Sequence, residues 1–283
     1  MNEPKAPEFL IIGHITQDLL PNGRLSLGGT VSYAATTAHR MGYQVGIVTS
    51  TGPDLDVAKV LPFADIACQE AAATTVFENI YLDGERKQIL HRRAGILRCD
   101  HIPQNWRHAP IVHLGPLDQE IDEGIFHCFE DQVLIGVTPQ GFLRQWDERG
   151  HVSFTEWTPR EAVLRRINVL VLSEQDVPDP LRLVDSWGQL IDIIVVTRAE
   201  RGATVYHSGA PCDYPARPAQ QVDPTGAGDV FAAAFMIRLT ETGNPCQAAE
   251  FANAVASFSI EGPGVSGIPL RPQVEAYLDT ARP

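Results

Sequence analysis

The residues with the clearest chemical potential lie in one short segment, 222–231, with the sequence V-D-P-T-G-A-G-D-V-F. Its first half cannot form a regular element, because a proline and two glycines interrupt the backbone. From Asp229 onwards, apolar residues recur every three or four positions, which predicts a helix that ends near Gly243. The segment therefore predicts a helix N-terminus with two glycines and a carboxylate beside it.

A helix N-terminus has unpaired N–H groups and a positive dipole end, so it can bind an anion such as phosphate. The glycines would let the backbone of Gly226, Ala227 and Gly228 come close to that anion. Asp229 has two interpretations, an ordinary helix N-cap or a base beside a phosphate site. Two glycines, a proline and a second aspartate within seven residues favour the phosphate site.

The string D-P-T-G-A-G-D at 223–229 resembles the C-terminal signature of the ribokinase/PfkB family of small-molecule kinases. The resemblance implies that Asp229 is the catalytic base and that 226–228 form an anion hole. It also implies ATP as the phosphoryl donor, Mg²⁺, and a role for a monovalent cation such as K⁺. Thr225, within the same motif, is predicted to contact the nucleotide.

The composition excludes several classes of protein. Of 283 residues, 44% are hydrophobic and 20% charged, which is usual for a globular protein. The net charge of −13 argues against a nucleic-acid partner, which would require a basic surface. No apolar run could span a membrane, and the N-terminal stretch does not resemble a signal peptide. We expect a cytoplasmic protein without nucleic-acid or membrane partners.

The five cysteines, at positions 68, 99, 128, 212 and 246, are widely spaced and form no C-x-x-C motif. We expect reduced thiols, because neither a disulfide framework nor a zinc site has this spacing. The nine histidines show no metal-binding spacing either, so we expect most of them to be core or surface residues.

Short apolar runs that alternate with helical segments predict βαβ units and a mainly parallel sheet. The apolar runs lie at 8–13, 43–49, 111–115, 133–138, 168–172 and 191–197. Helical segments are predicted at 27–38, 55–61, 119–129, 159–166 and 248–259. The family resemblance implies a single ribokinase-like α/β domain over 1–283, with a mostly parallel central sheet flanked by helices and a small β-sheet lid.

Two alternating segments, 75–81 and 87–92, are joined by D-G-E-R and predict a β-hairpin. By resemblance, this hairpin belongs to a lid over the substrate, formed by about 14–27 and 74–93. A hairpin alone is marginally stable, so it requires added strands near 16–24 or the lid of a second subunit in a homodimer. A plain surface hairpin is the alternative.

The first apolar run ends in G-H-I-T-Q-D, and open α/β sheets bind ligands at the carboxyl ends of their strands. By resemblance, Asp18 binds substrate hydroxyls. The Gly28-Gly29 turn that follows resembles the family's G-G-x-x-x-N, and Tyr33 stands where the family carries asparagine. The predicted acceptor-binding residues are Asp18, Thr16, Gly28, Gly29, Ser32, Tyr33 and Arg144. The alternatives are a turn residue for Asp18, a core residue for Tyr33 and a surface residue for Arg144.

The segment S-E-Q-D stands where the family carries N-x-x-E, which organises magnesium through water. Ser173 and Asp176 keep the oxygen ligands that Mg²⁺ prefers. T-R-A-E-R-G resembles the family's nucleotide-contacting loop, and Arg198 within it is a candidate to neutralise the charge of a phosphate. The residues predicted to contact the nucleotide are Thr197, Arg198, Gly202, Thr225, Asn253 and Gly264. A buried structural amide is the alternative for Asn253.

The sequence thus predicts an ATP-dependent kinase that phosphorylates a hydroxyl of a small neutral sugar or polyol. The strings G-H-I-T-Q-D-L-L and P-Q-G-F-L-R resemble the myo-inositol kinase branch. A nucleoside kinase and a non-catalytic ligand-binding relative are the alternatives. A dinucleotide-dependent oxidoreductase is excluded, because no G-x-G-x-x-G follows the first strand.

Overall fold

The protein is described by a computed structural model over residues 6–82, 85–208 and 210–281. The strands in this part of the chain are β1 (Phe9–Ile12), β2 (Thr16–Leu19), β3 (Leu25–Gly28), β4 (Val45–Thr51), β5 (Asp65–Glu70), β6 (Thr75–Leu82), β7 (Glu85–Arg92), β8 (Ile111–Leu114), β9 (Leu134–Val137), β10 (Arg144–Trp146), β11 (Val152–Phe154), β12 (Val169–Ser173), β13 (Ile193–Thr197), β14 (Ala203–His207) and β15 (Ala210–Tyr214). The helices are α1 (Thr30–Arg40), α2 (Val57–Val60), α3 (Glu161–Leu164), α4 (Pro180–Trp187), α5 (Ala227–Thr242), α6 (Pro245–Ser259) and α7 (Arg271–Ala281).

Nine strands form one sheet in the order β15-β14-β13-β12-β9-β8-β1-β4-β5. Pairing is parallel from β13 to β5 and antiparallel only at the edge formed by β14 and β15. Strand β1 shows why this sheet lies in the interior: Phe9 and Ile11 belong to one hydrophobic cluster, and Leu10 and Ile12 to another. Both faces of the sheet are therefore covered, and the predicted α/β architecture is confirmed.

A second, smaller sheet has the strand order β3-β2-β6-β7. Strands β6 and β7 form the predicted hairpin, and β2 pairs with β6 in parallel and with β3 in antiparallel orientation. The hairpin therefore gains its additional strands from the same chain. The predicted turn at 83–84 lies outside the described residues. We refer to β3, β2, β6 and β7 as the small sheet.

Helix α5 begins at Ala227, two residues before the predicted start, and is followed by Gly243 in a left-handed conformation with φ 63°. It contacts α1, α6 and the central sheet, so its residues are buried around most of its circumference. Its N-terminal end lies at the carboxyl edge of the parallel strands, where the functional site is built.

Some elements differ from the sequence-based prediction. The predicted helix 119–129 contains only a 3₁₀ turn at Glu123–His127, and 159–166 contains the single-turn helix α3. The first difference has a local cause, because the carboxylate of Glu120 binds the N–H groups of Leu117 and Asp118 and fixes an irregular loop. The strands β5, β10, β11, β14 and β15 and the helices α4 and α7 were not predicted.

The expectation of five reduced thiols is wrong for two cysteines. Cys99 and Cys128 form a disulfide with a Cα–Cα distance of 5.9 Å, although 29 positions separate them in sequence. Only the packing of two loops brings them together, which is why their spacing gave no signal. Cys68, Cys212 and Cys246 are free and exposed. Among the described helices, none combines the length and apolar character needed to cross a bilayer.

Candidate active site

The turn before α5 is held by the side chain of Asp223. Its carboxylate accepts the N–H of Thr225 at 3.0 Å and the N–H of Gly264 at 2.9 Å. Burial opposes ionisation of this carboxyl group, but hydrogen bonds from the Thr225 side chain and from these two N–H groups outweigh it and lower the pKa of Asp223. The first aspartate of the motif is thus a structural residue that connects the turn to the loop after α6.

The glycines of the motif have different structural requirements. Gly226 is the N-cap of α5 with φ 75°, and a Cβ there would overlap the ring of Tyr33. A Cβ added to Gly228 would meet no heavy atom within 4 Å, so open space lies beside this residue. The N–H of Ala227 donates to the carbonyl oxygen of Pro224 at 3.2 Å. By contrast, the N–H groups of Gly228 and Asp229 donate to no other residue within the described ranges.

Asp229 is the third residue of α5 and is half-buried. Since Gly226 is the N-cap, the alternative interpretation of Asp229 as the N-cap is wrong. The pKa of Asp229 is raised from 3.8 to about 6, mainly by burial and with a contribution from the charge of Asp176, while a hydrogen bond with Thr30 and the charge of Arg144 oppose the shift. A carboxyl group with this pKa is ionised at neutral pH and can still accept a proton from a substrate, which suits a general base.

On the opposite side of the site, Asp18 lies in β2 with its carboxylate directly over Gly28. A Cβ on Gly28 would overlap that carboxylate, and one on Gly29, where φ is 88°, would lie 2.9 Å from the carbonyl oxygen of His14. These glycines therefore allow the turn to pack against 14–18. Their structural role lies in this close packing, whatever contact they make with a substrate.

Tyr33 lies between the two sides. Burial raises the pKa of Tyr33, and the charges of Asp223, Asp18 and Asp229 raise it further, so all three carboxylates lie around this phenol. The side chains of Ser32 and Thr16, also predicted to bind substrate, are buried, and the Ser32 hydroxyl donates to the carbonyl oxygen of Gly28 at 2.7 Å.

Arg144, in β10, connects the base to the small sheet. Its guanidinium lies 5.9 Å from the ring centre of Phe77 in β6, and its charge lowers the pKa of Asp229. Arg144 is half-buried, so it lies close enough to the base to influence its ionisation.

Ser173 and Asp176 form a turn after β12. The carboxylate of Asp176 accepts the N–H of Ser173 at 2.8 Å and the amide of Gln140 at 3.3 Å. Because Asp176 also raises the pKa of Asp229, its charge lies near the base. A half-buried carboxylate and a hydroxyl fit Mg²⁺ held through water, since this ion prefers oxygen ligands and keeps part of its hydration shell.

The residues predicted to contact the nucleotide lie at two neighbouring places. Arg198, after β13, pairs with Asp213 at 2.8 Å, so its charge is already partly neutralised. Gly202 has φ 86° and packs against Tyr214, whose carbonyl oxygen accepts the side-chain amide of Asn253 at 3.0 Å. Asn253 thus makes a structural hydrogen bond, as the alternative interpretation proposed. Thr225 is exposed, Thr197 is half-buried, and Gly264 binds Asp223.

One group near this site was missed from the sequence. His14, Asp118 and Glu120 are fully buried and meet below the small sheet. His14 is 106 positions from Glu120 in the sequence, far beyond any motif spacing, and only the unusual D-Q-E segment offered a signal.

The chain is similar to known proteins. The family model of pfkB family carbohydrate kinases matches residues 171–271. A cytidine kinase of Thermococcus kodakarensis is 27% identical over 81% of this chain and 87% of its own length. An inositol 3-kinase of Arabidopsis thaliana is 27% identical over 89% of this chain and 73% of its own length.

Two solved structures have the same fold. One is a pyrophosphate-dependent myo-inositol-1 kinase converted by two substitutions into a myo-inositol-3 kinase, with a TM-score of 0.79 and 20% identity, covering 97% of this chain and 99% of that one. The other is Arabidopsis thaliana ribokinase complexed with ribose and ATP, with a TM-score of 0.72 and 19% identity, covering 96% and 99%.

The family match over residues 171–271 and the relatives named as kinases support a phosphotransferase. The chain is similar to kinases of the ribokinase/PfkB family, as its D-P-T-G-A-G-D motif predicted, and these similarities support a sugar or nucleoside kinase activity.

Proposed function

We propose that the protein transfers the γ-phosphoryl group of ATP to a hydroxyl of a small neutral sugar or polyol, with Asp229 as general base. One observation carries the proposal. A carboxyl group with a pKa of about 6 lies in the first turn of α5, beside N–H groups that have no acceptor among the described residues. A base and an anion-stabilising backbone at one point are what transfer to an alcohol requires.

In the proposed reaction, the acceptor hydroxyl forms a bond to the γ-phosphorus while the bond to the β–γ bridging oxygen breaks and ADP leaves. The hydroxyl proton passes to the carboxylate of Asp229. The N–H groups of Gly228 and Asp229 stabilise negative charge on the transferred group. Ser173 and Asp176 would hold Mg²⁺ through water, and the ion would supply charge neutralisation for the phosphates. Thr197, Gly202 and Gly264 line the donor side.

The charges of Asp18 and of the arginines at the end of β7 support a neutral acceptor. Asp18 supplies a carboxylate that can accept hydrogen bonds from hydroxyl groups. The two arginines at the end of β7 are already paired, Arg92 with Asp54 at 3.1 Å and Arg93 with Asp118 at 3.2 Å. A phosphorylated acceptor would require cations that are not neutralised in this way.

Myo-inositol is the acceptor we favour within this class, and a nucleoside is the second candidate. The inositol 3-kinase match covers 89% of this chain, while the cytidine kinase match covers 81% at the same identity. We further propose one domain whose small sheet closes over the acceptor and excludes water. A homodimer through this sheet and a cytoplasmic location stay predictions.

A screen of donors and acceptors tests the proposal. The purified protein with Mg²⁺ and ATP should phosphorylate at least one of myo-inositol, ribose, fructose or cytidine, with the product identified by ³¹P NMR. Pyrophosphate replaces ATP in a parallel series, and a preference for it would overturn the donor assignment. Strong preference for a sugar phosphate over every neutral compound would contradict the acceptor class, and no transfer to any acceptor would contradict the function.

A further inference from the structure

Three buried titratable side chains meet outside the catalytic turn. His14 belongs to the loop between β1 and β2, while Asp118 and Glu120 follow β8. None of the three side chains is exposed, and their ligand atoms lie within 4.8 Å of one another. Buried charges are costly unless they bind a metal ion or compensate one another, so this cluster requires an explanation.

The hydrogen bonds favour mutual compensation. The carboxylate of Glu120 accepts the N–H of His14 at 3.0 Å, that of Leu117 at 2.9 and 3.1 Å, and that of Asp118 at 2.9 Å. A carboxylate has about four lone-pair positions, so these bonds occupy the Glu120 side chain. Glu120 therefore fixes the loop and has little capacity left for a metal ion.

His14 and Asp118 form an ion pair beside it. The Nε2 of His14 lies 2.8 Å from the carbonyl oxygen of Gly95, so this nitrogen carries a proton. The Nδ1 lies 3.2 Å from the Asp118 carboxylate. Burial alone would lower the pKa of His14, but Glu120 and Asp118 outweigh it and raise the pKa, so the imidazolium form is favoured.

Charged and polar groups on the neighbouring elements affect the ionisation of His14 and Asp118. Arg93 donates to the Asp118 carboxylate and, with His14, balances the two acids. Burial and the Asp118 charge raise the pKa of Glu120 to about 7, while His14 lowers it. The Thr75 hydroxyl lies 2.9 Å from Nδ1 of His14.

The pair connects the end of β1 in the central sheet to the beginning of β6 and to the segment that follows β7. His14 directly follows β1 and precedes β2, which carries Asp18. Its ring contacts Thr75 at the start of β6 and Gly95 shortly after β7. The imidazole ring and its carboxylate therefore join the elements that orient the small sheet, alongside other contacts such as the Arg92–Asp54 ion pair.

We propose that His14 and Asp118 are positioning residues, and that their buried ion pair holds β2 so that Asp18 meets the acceptor hydroxyl. The inference rests on the proposed function of the same site. Neither side chain touches the acceptor; both act through β2 and β6. The donor side is built by residues after 170, so the pair affects the acceptor and leaves donor binding unchanged.

The test compares two buried histidines. His14→Gln replaces the imidazole with a neutral side-chain amide that can still form hydrogen bonds, and it removes the charge that pairs with Asp118. His113→Gln, in β8, is the matched control, because His113 is also fully buried but neutral: burial lowers its pKa to about 3, and its Nε2 lies 3.1 Å from the Thr138 hydroxyl. The acceptor KM should rise roughly 10- to 100-fold in His14→Gln alone, as expected for a misplaced acceptor-binding group.

The donor KM should stay within about twofold of the wild type in both variants, since the effect is confined to the acceptor. Asp118→Asn should reproduce the acceptor defect, and the double variant should be no worse than the more severe single variant, because paired residues are not additive. An unchanged acceptor KM in folded His14→Gln, or an equal rise in His113→Gln, would overturn the proposal.

A second measurement does not depend on activity. Amide hydrogen exchange in β2 and β6 should be faster in His14→Gln than in the wild type and unchanged in His113→Gln. Equal protection of these strands in all three proteins would contradict the positioning role even if the protein phosphorylated no tested acceptor. If exchange responds as expected while no transfer occurs, the positioning of β2 stands and the proposed reaction fails.

Discussion

The two sides of the site are built in different ways. The donor side uses backbone atoms: a left-handed glycine at 226, the N–H groups of Gly228 and Asp229, and a turn held by Asp223. The acceptor side uses side chains from separate elements, with Asp18 on β2 and Arg144 on β10. Tyr33 lies between them, packed on Gly226 and surrounded by carboxylates of both sides.

This difference predicts opposite sensitivities. A backbone site fails when a side chain is added, because bulk blocks the close approach of the donor or disturbs the turn. A side-chain site fails when a functional group is removed, because the hydrogen bond and the charge disappear with it. Asp229 is the exception on the donor side, since we propose that its carboxylate rather than its backbone takes the proton.

The largest effect is expected from Asp229→Asn. The amide keeps the shape but cannot accept the proton, so kcat should fall by roughly 10²–10⁴ with little change in acceptor KM. The folded state raises the pKa of Asp229, so its ionisation destabilises the fold as pH rises from 3.8 to about 6. The variant should therefore be more stable by about 1–2 kcal/mol at pH 8, as measured by urea unfolding.

The wild type provides the control through its pH dependence. Asp229 must be ionised to act as base, so kcat should decrease as pH falls through about 6. Near wild-type kcat in folded Asp229→Asn would contradict the catalytic assignment, and it would leave the donor side as a binding site only.

The next effect is expected from Asp18→Asn. Removal of a charge-assisted hydrogen bond to an acceptor hydroxyl should cost about 1.5–3 kcal/mol. In steady-state kinetics the acceptor KM should rise roughly 10- to 100-fold, while the ATP KM stays close to that of the wild type. A rise in the ATP KM instead would show that the acceptor and donor sides are not separate in the way described.

The smallest effect is expected where one methyl group is added to the donor turn. Gly226→Ala places a Cβ against the Tyr33 ring at a left-handed position, so stability should fall by about 1–3 kcal/mol and kcat with it. Gly228→Val is the matched control for bulk. A Cβ at Gly228 has open space, so this variant should fold normally and lose only donor binding, measured by calorimetry with Mg-ATP. Equal losses of stability would contradict the distinction between the two glycines.

The donor side could be predicted from the sequence because it is local. Seven consecutive residues, D-P-T-G-A-G-D, contain the turn, the helix start and the base. Glycines and a proline restrict the backbone directly, so their positions carry structural information without any tertiary contact. The parallel strands were predicted for a similar reason, since continuous apolar runs indicate strands covered on both faces.

Predictions from the sequence were less accurate for residues whose role depends on a contact formed only in the tertiary structure. The sequence indicated Ser32 as a pocket residue, but its hydroxyl donates to the carbonyl oxygen of Gly28. Arg198 was predicted to meet phosphate, but it pairs with Asp213 from an antiparallel edge strand that the apolar pattern did not indicate. Each role depends on a partner whose distance in space the sequence does not give.

By itself, the sequence determined that this chain forms a parallel α/β sheet and that a helix with a carboxylate in its first turn follows a glycine-rich turn, because backbone preference and apolar periodicity act over a few residues. Only the tertiary structure decided that β2 and β3 complete the small sheet, that Cys99 meets Cys128, and that His14 lies against Asp118. More than 100 positions separate His14 from Asp118 in the sequence. The same is true of His14 and Glu120, whose carboxylate accepts the N–H of His14. The ionisation of a buried histidine depends on such neighbours: nearby carboxylates outweigh burial and raise the pKa of His14, while burial lowers the pKa of His113 to about 3.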